Sequence, residues 1–225
     1  MLVRDRFKLT QQALSSLGYV DSLTILDDRS ENKTADFLRW WGGVHHAFVA
    51  RNDSSTGTGR ARNAVIEVSQ EIWGRGDYLY LSDNDVIFTP TWLQTLIDCY
   101  EAAWSSGCRV LGAVGHPYHQ HGETLGICSF NVRYAVQEVL AQPLQSMLMR
   151  WEVWDEFGPF EETEVDKVCD GEDVKFSWKL AAAGYKMGVV NPPLLVNTGI
   201  TNTFGDKIPG WELVKEQAPE GVIVE

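Results

Sequence analysis

The sequence has no apolar run near the roughly 20 residues that a membrane-spanning helix requires, so no transmembrane segment is expected. Its start, Met1-Leu2-Val3-Arg4-Asp5-Arg6, lacks the apolar centre of a secretory leader. These absences predict a cytoplasmic protein with no membrane anchor. Cysteine is scarce: Cys99, Cys108, Cys128 and Cys169 are the four present, and none falls in a CxxC spacing. They read as buried thiols rather than as a zinc site or a disulfide framework. Cationic side chains are also in deficit. There are 19 Lys and Arg against 31 Asp and Glu, and the net charge is −12. Bulk charge therefore disfavours nucleic acid and anionic membranes, although a local basic groove would still admit DNA. No internal repeat and no long linker divides the chain.

What is present suits one folded domain. The chain has 225 residues and is 44% hydrophobic, enough for a full core. Apolar residues are spread throughout, which excludes disorder. A helix is predicted over 8–17, with Leu9, Ala13, Leu14 and Leu17 on one face and Gly18 as its stop. A strand over 20–26 ends in Asp27-Asp28-Arg29-Ser30. A helix over 34–41, closed by Gly42-Gly43, leads to a strand over 44–50. A helix over 58–73 and a strand over 78–81 follow. Pro90 suits the first turn of a helix reaching about 105, and a strand covers 109–114. This order predicts an α/β fold with a mostly parallel sheet and helices on both faces.

The second half reads differently. Strands are predicted over 124–132 and 143–149, with a short helix between or beside them, as a small antiparallel region. Helices over 151–157 and 173–183 and a strand over 187–190 complete it. The residues after Pro192 read as an irregular tail. The whole is expected to be one domain, 1–225, with a nucleotide-binding half to about 115 and a second half from about 116.

The chemistry concentrates where strands end. Asp83 and Asp85 lie one residue apart, just past a buried strand, where paired carboxylates are costly without a cation between them. A hard divalent ion, Mg²⁺ or Mn²⁺, is the natural partner, and such an ion also holds phosphate oxygens. The plain alternative is a polar turn. Ligands of a doubly wound sheet bind beyond the carboxyl ends of its strands, and Asp27-Asp28, Arg51-Asn52 and Asp83-Asn84-Asp85 all lie there. A second pair, Glu172-Asp173, reads equally as a general base with its neighbour or as carboxylates favoured at a helix N-terminus.

The order of these motifs resembles family 2 of the glycosyltransferases, which has the nucleotide-sugar-binding fold called GT-A. The resemblance rests on Leu26-Asp27-Asp28-Arg29-Ser30, on Gly59-Arg60-Ala61-Arg62-Asn63, and on Asp83-Asn84-Asp85 as the family's DxD motif. It continues through 146–154, Phe157-Gly158-Pro159-Phe160, and Gly171-Glu172-Asp173 as its ED motif. It implies an inverting, metal-dependent transfer of a sugar from a nucleoside-diphosphate sugar to an acceptor hydroxyl. By resemblance, Asp85 holds the metal, and Asp83 reaches the ribose or the metal's water shell. Asp28 binds the nucleobase, and Arg62 the base or the diphosphate. Asn63 supports the same pocket, Asp173 is the base, and Glu172 orients acceptor or base. Trp151 and Trp154 lie near the acceptor. That acceptor, a glycan, small molecule, protein or modified nucleobase, is not specified.

The sequence departs from the family pattern at two places. The first strand is short, and Asn197 stands where many members carry a histidine metal ligand, so an amide oxygen would be a weaker third ligand. His116, His119 and His121 read as a loop over the site or as an acceptor contact, since HxxHxH without cysteine is a poor zinc signature. The rival readings are a nucleotidyltransferase, for which residues 1–8 lack a Gly-rich loop, and a non-catalytic nucleotide-binding protein.

Overall fold

The computed structural model describes residues 1–114, 123–129, 133–162 and 171–198. Three short strands open a parallel sheet: β1 (Leu2–Val3), β2 (Thr24–Asp27) and β3 (Phe48–Arg51). They are joined by α1 (Phe7–Ser16) and α2 (Asn32–His45). Then come α3 (Thr58–Trp73), β4 (Tyr78–Ser82), β5 (Val86–Phe88), α4 (Trp92–Trp104) and β6 (Cys108–Gly112). The second half adds β7 (Thr124–Ser129), β8 (Arg133–Val139), β9 (Ser146–Arg150), α5 (Trp151–Phe157), α6 (Glu172–Ala182), β10 (Lys186–Asn191) and β11 (Leu195–Asn197). A six-stranded sheet runs β4-β9-β6-β10-β8-β7, and β11 pairs with β5.

Helices cover both faces of the larger sheet, as its sequence requires. Successive side chains of a strand point to opposite faces. In β6, Val110 joins one apolar cluster and Leu111 the other; in β9, Met147 and Met149 join one and Leu148 the other. One cluster is closed by Leu14 of α1, Leu38 of α2 and Leu96 of α4, the other by Ile66 of α3, Val153 of α5 and Leu180 of α6. All six of these helix residues are at most 3% exposed. Among the described residues no helix is long and apolar enough to cross a membrane.

The α/β architecture matches the reading of the sequence, but the antiparallel part is larger than expected. β9 enters between β4 and β6, antiparallel to each, while β6 and β10 keep a parallel pair. The segment expected to hold a short helix is instead β8, antiparallel to both β7 and β10. Its Tyr-Ala-Val-Gln-Glu-Val stretch suits a helix by propensity, and pairing on both sides overrides that preference.

Helix α2 does not stop at Gly42-Gly43. It continues to His45 and ends at His46, which takes a left-handed φ of 54°. Gly42 is required for packing: a Cβ there would lie 2.5 Å from the Val49 side chain. The strand after it shortens accordingly to β3. Pro90 sits in a turn before α4 rather than within it. The residues after Pro192 include β11, which pairs Asn197 with Val86, beside the acidic motif.

Gly59 shows how a motif serves the fold. A Cβ at Gly59 would collide with the Glu161 carbonyl oxygen. Both ends of the Asn63 amide, one turn on, bind the Phe160 backbone, Nδ2 donating to its O at 2.9 Å and Oδ1 accepting from its N at 3.0 Å. Helix α3 thus grips the 158–162 segment that leads toward α6. Gly59→Ala must displace backbone rather than a flexible side chain. It is expected to cost about 1–3 kcal/mol, read as a lowered midpoint in denaturant at unchanged slope. An unchanged midpoint would mean that the contact is not tight.

Candidate functional site

The site gathers where β2, β3 and β4 end. The segment after β1 links the cluster together. Arg4 donates to Ser55 Oγ at 2.8 Å, and Ser55 Oγ donates to Asp28 Oδ2 at 2.7 Å. The Asp5 N–H donates to Ser30 Oγ at 2.8 Å. Asn84, the middle residue of the acidic motif, donates to the Asp5 carbonyl at 3.2 Å and to Thr10 Oγ1 at 2.7 Å. Asn84 is therefore a buried clamp, and its two neighbours are left to face the site.

Each flanking aspartate has an arginine. Arg6 Nη1 lies 2.6 Å from Asp85 Oδ2, with the two side chains 18% and 8% exposed. Arg62 Nη2 lies 2.5 Å from Asp83 Oδ1. Arg62 is buried, and its Nε faces Glu172 Oε1 at 3.9 Å with no hydrogen-bond partner. Burial works against its charge, yet Asp83 and Glu172 outweigh that and raise its pKa. Arg62 thereby joins Asp83 of the acidic motif to Glu172 at the start of α6.

Asp85 is buried, and its second oxygen, Oδ1, has no hydrogen-bond partner. Burial, then repulsion from Asp83, pushes its pKa up to about 6, against the pull of Arg6. An orphaned buried carboxylate oxygen in an oxygen-rich setting fits a hard divalent cation. Asp85 would hold such an ion, with Asp83 beside it. Asn197 lies in register with Val86 and donates to Gln145 Oε1 at 3.0 Å. Thr198 anchors the same corner, its N and Oγ1 donating to the Asp85 carbonyl at 2.8 and 2.7 Å. Among the described residues, no group of three or more His, Cys, Asp or Glu converges as a complete metal cage. Further ligands to an ion at Asp85 would have to come from elsewhere.

Asp173 occupies the first turn of α6, after Gly171 with a left-handed φ of 65°. Its Oδ1 accepts from the Val174 N–H at 2.8 Å. Burial first, and then the Glu172 charge, pushes its carboxyl up to about 7. That value is suited to a group that accepts a proton near neutral pH. The helix-start alternative coexists with this, since the position also fixes the carboxylate's direction.

Asp28 is 4% exposed, and loop 52–56 already engages it: Asn52 Nδ2 donates at 2.8 Å and the Thr56 N–H at 3.3 Å, both to Oδ1. The structure thus shows it shaping a loop at the outer end of the site. Trp154 packs against Phe160 at 5.2 Å and Phe176 at 6.3 Å, and the Arg75 guanidinium lies 4.9 Å over the Trp151 ring. Both tryptophans support the core rather than offering an open face to an acceptor. His116, His119 and His121 lie outside the described residues, as does Cys169.

Residues 8–154 match the sequence profile of a family described as Glycosyl transferase family 2. The chain belongs to that family.

No curated protein matches the chain in sequence. Solved structures with the same GT-A fold include the mannosyltransferase PcManGT from Pyrobaculum calidifontis, in complex with GDP-Man and Mn²⁺. That match has 15% identity and a TM-score of 0.59, covering 85% of this chain and 53% of the other. GalNAc-T7 with UDP, GalNAc and Mn²⁺ matches at 13% identity and a TM-score of 0.62, covering 95% and 46%. TarS 1-349 of S. aureus with UDP-GlcNAc matches at 16% identity and a TM-score of 0.59, covering 86% and 55%. This family 2 chain spans about half the length of these structures.

Sequence reading missed three members of the site. Arg6 was passed over as a polar residue after a short strand and Thr198 as part of a tail, and Ser55 was given no role. The one available signal was Arg6: a cation three residues past the first strand, at the edge where the acidic motif ends.

Proposed function

We propose that this family 2 chain is an inverting, metal-dependent glycosyltransferase that moves a sugar from a nucleoside-diphosphate sugar to an acceptor hydroxyl. The observation that carries this is the Asp83–Arg62–Glu172 link, which sets the acidic motif and Asp173 in one site. In the proposed reaction Asp173 accepts the hydroxyl proton as the acceptor oxygen attacks the anomeric carbon. The bond from that carbon to the diphosphate breaks on the opposite side, so the configuration inverts. A divalent cation at Asp85, Mn²⁺ or Mg²⁺, supplies neutralisation of the charge that builds on the leaving diphosphate. Asp83 takes the ribose or the ion's water shell, and Asn197 offers an amide oxygen.

In this reading Asp28 and its loop receive the nucleobase, Arg62 and Asn63 hold the donor pocket in shape, and Glu172 orients acceptor or base. The donor half runs to about residue 115 and the acceptor half follows. Two of the structural relatives carry a nucleotide and Mn²⁺ in their complexes, which supports the donor class. Cys99, Cys108 and Cys128 are buried free thiols, which supports a reducing, cytoplasmic setting.

The rival is a non-catalytic nucleotide-binding protein, favoured by the arginine already paired to each motif aspartate. A panel of UDP-, GDP- and dTDP-sugars, each with and without Mn²⁺, separates binding from its absence. A ligand of the native state raises the melting temperature. One nucleotide sugar is expected to do so strongly, and only with Mn²⁺. No shift with any donor would sink the reading. Release of free nucleotide from the bound donor on adding acceptor or water would exclude the rival.

A further inference from the structure

We propose that Arg6 is a diphosphate-binding residue of the donor site, and that its guanidinium balances the Asp85 charge until metal and nucleotide arrive together. The inference rests on the transferase reading above.

Its first support is position. The Arg6 guanidinium sits 2.6 Å from Asp85 Oδ2, the carboxylate whose other oxygen is buried without a partner. A divalent ion on the orphan oxygen would set two cations against one carboxylate, and their repulsion weakens the Arg6 pairing. The guanidinium is then drawn toward a further anion brought to the ion. The diphosphate, drawn to the same ion, is the one the reaction brings. A guanidinium fork suits phosphate oxygens better than any other side chain.

The second support is the backbone. Asp5 and Arg6 both have φ 55°, a left-handed conformation that non-glycine residues adopt at a cost. Several bonds hold them there. The Asp5 carbonyl accepts from Asn84 Nδ2 at 3.2 Å and from Thr10 Oγ1 at 3.1 Å. The Asp5 carboxylate accepts from the Glu31 N–H at 2.6 Å, and the Arg6 carbonyl from the Thr10 N–H at 3.0 Å. Asn84 belongs to the acidic motif itself, so the motif that would bind the ion also fixes the turn that carries Arg6. These bonds hold the base of the Arg6 side chain at the site.

The two parts of the proposal predict opposite signs in one variant. Arg6→Gln removes the competitor at Asp85, so Mn²⁺ alone should bind more tightly, read by the loss of free Mn²⁺ in electron paramagnetic resonance. The same variant should bind the nucleoside diphosphate, UDP or GDP, about 10- to 100-fold more weakly in saturating Mn²⁺, as expected for a lost charge-assisted hydrogen bond. Affinity for the bare nucleoside should not change. Arg6→Lys keeps the charge without the fork and should fall between, which guards against a folding defect in the glutamine variant. Diphosphate affinity equal to wild type in both variants overturns the proposal, even if Mn²⁺ binds more tightly. Wild-type protein that binds neither UDP nor GDP with Mn²⁺ would instead strike at the transferase reading, and is recognised because it needs no variant.

Discussion

Asp173→Asn is expected to lower sugar transfer by about 100- to 10,000-fold, the range for a positioned acid or base, while donor affinity stays near wild type. The amide keeps the size of the carboxylate and an oxygen that can accept the Val174 N–H, now accepted at 2.8 Å. It cannot take a proton. The wild-type rate at saturating donor should rise with pH through about 7, where burial and Glu172 place the carboxyl, because only the deprotonated form accepts the hydroxyl proton. The stability effect has the opposite sense. A carboxyl whose pKa is raised by folding favours the native state at low pH. That contribution is lost as pH rises through about 7. Asp173→Asn should therefore be at least as stable as wild type at pH 8. A carboxylate serving only as a helix-terminal group would behave differently, lowering stability by about 1 kcal/mol when replaced and leaving turnover intact. A variant that turns over within a few-fold of wild type, or a product that retains the donor's configuration, removes Asp173 as the base.

The fold was legible in sequence wherever periodicity was long and unambiguous. Helix α3 was read to the residue, and α5 likewise, because each lies between clear breaks. β8 was not legible, since a stretch rich in Ala, Gln and Glu is helix-compatible and becomes a strand only when β7 and β10 flank it. Gly42-Gly43 misled for a related reason. A glycine pair reads as a stop, but Gly42 is there because Val49 leaves no room for a side chain. β5 and β11 are three residues each and exist by pairing with one another across more than 100 positions of sequence, which no local pattern signals.

Within the site, the residues at strand ends were legible and their partners were not. Asp28, Asp83, Asp85 and Asp173 stand out because carboxylates are rarely placed beside buried strands and helices without purpose. Which cation each one faces depends on the third dimension. Arg62 was read as a contact to base or diphosphate, and the structure places it, 5% exposed, between Asp83 and Glu172. Asn63 was read as pocket support, and its amide closes on Phe160, 97 residues away. Arg6 faces Asp85 across 79 residues, a separation over which no sequence pattern pairs two charges.

Asp85→Asn is expected to cost about 100- to 1,000-fold in turnover, the scale of losing one preorganised electrostatic contact to the transition state. The fold should survive. The substitution removes a charge that burial disfavours, but it leaves Arg6 without its carboxylate, so the two stability effects oppose each other. Wild-type donor binding should weaken sharply in chelator and return with Mn²⁺ or Mg²⁺. The variant's weaker binding should not respond to either. Because a cation binds the deprotonated carboxylate, Mn²⁺ affinity of the wild type should rise with pH through about 6. The sign of the stability change follows from the same shift. In the metal-free protein the raised carboxyl stabilises the native state at low pH, and that contribution disappears as pH rises through about 6. The variant should lack this step, which a melting curve against pH reads without any turnover assay. Equal wild-type activity with and without chelator would show that Asp85 holds no catalytic ion. The guanidinium already beside it would then be the only cation within reach of that carboxylate among the described residues. Arg6→Gln rather than metal removal would then be the change that abolishes transfer.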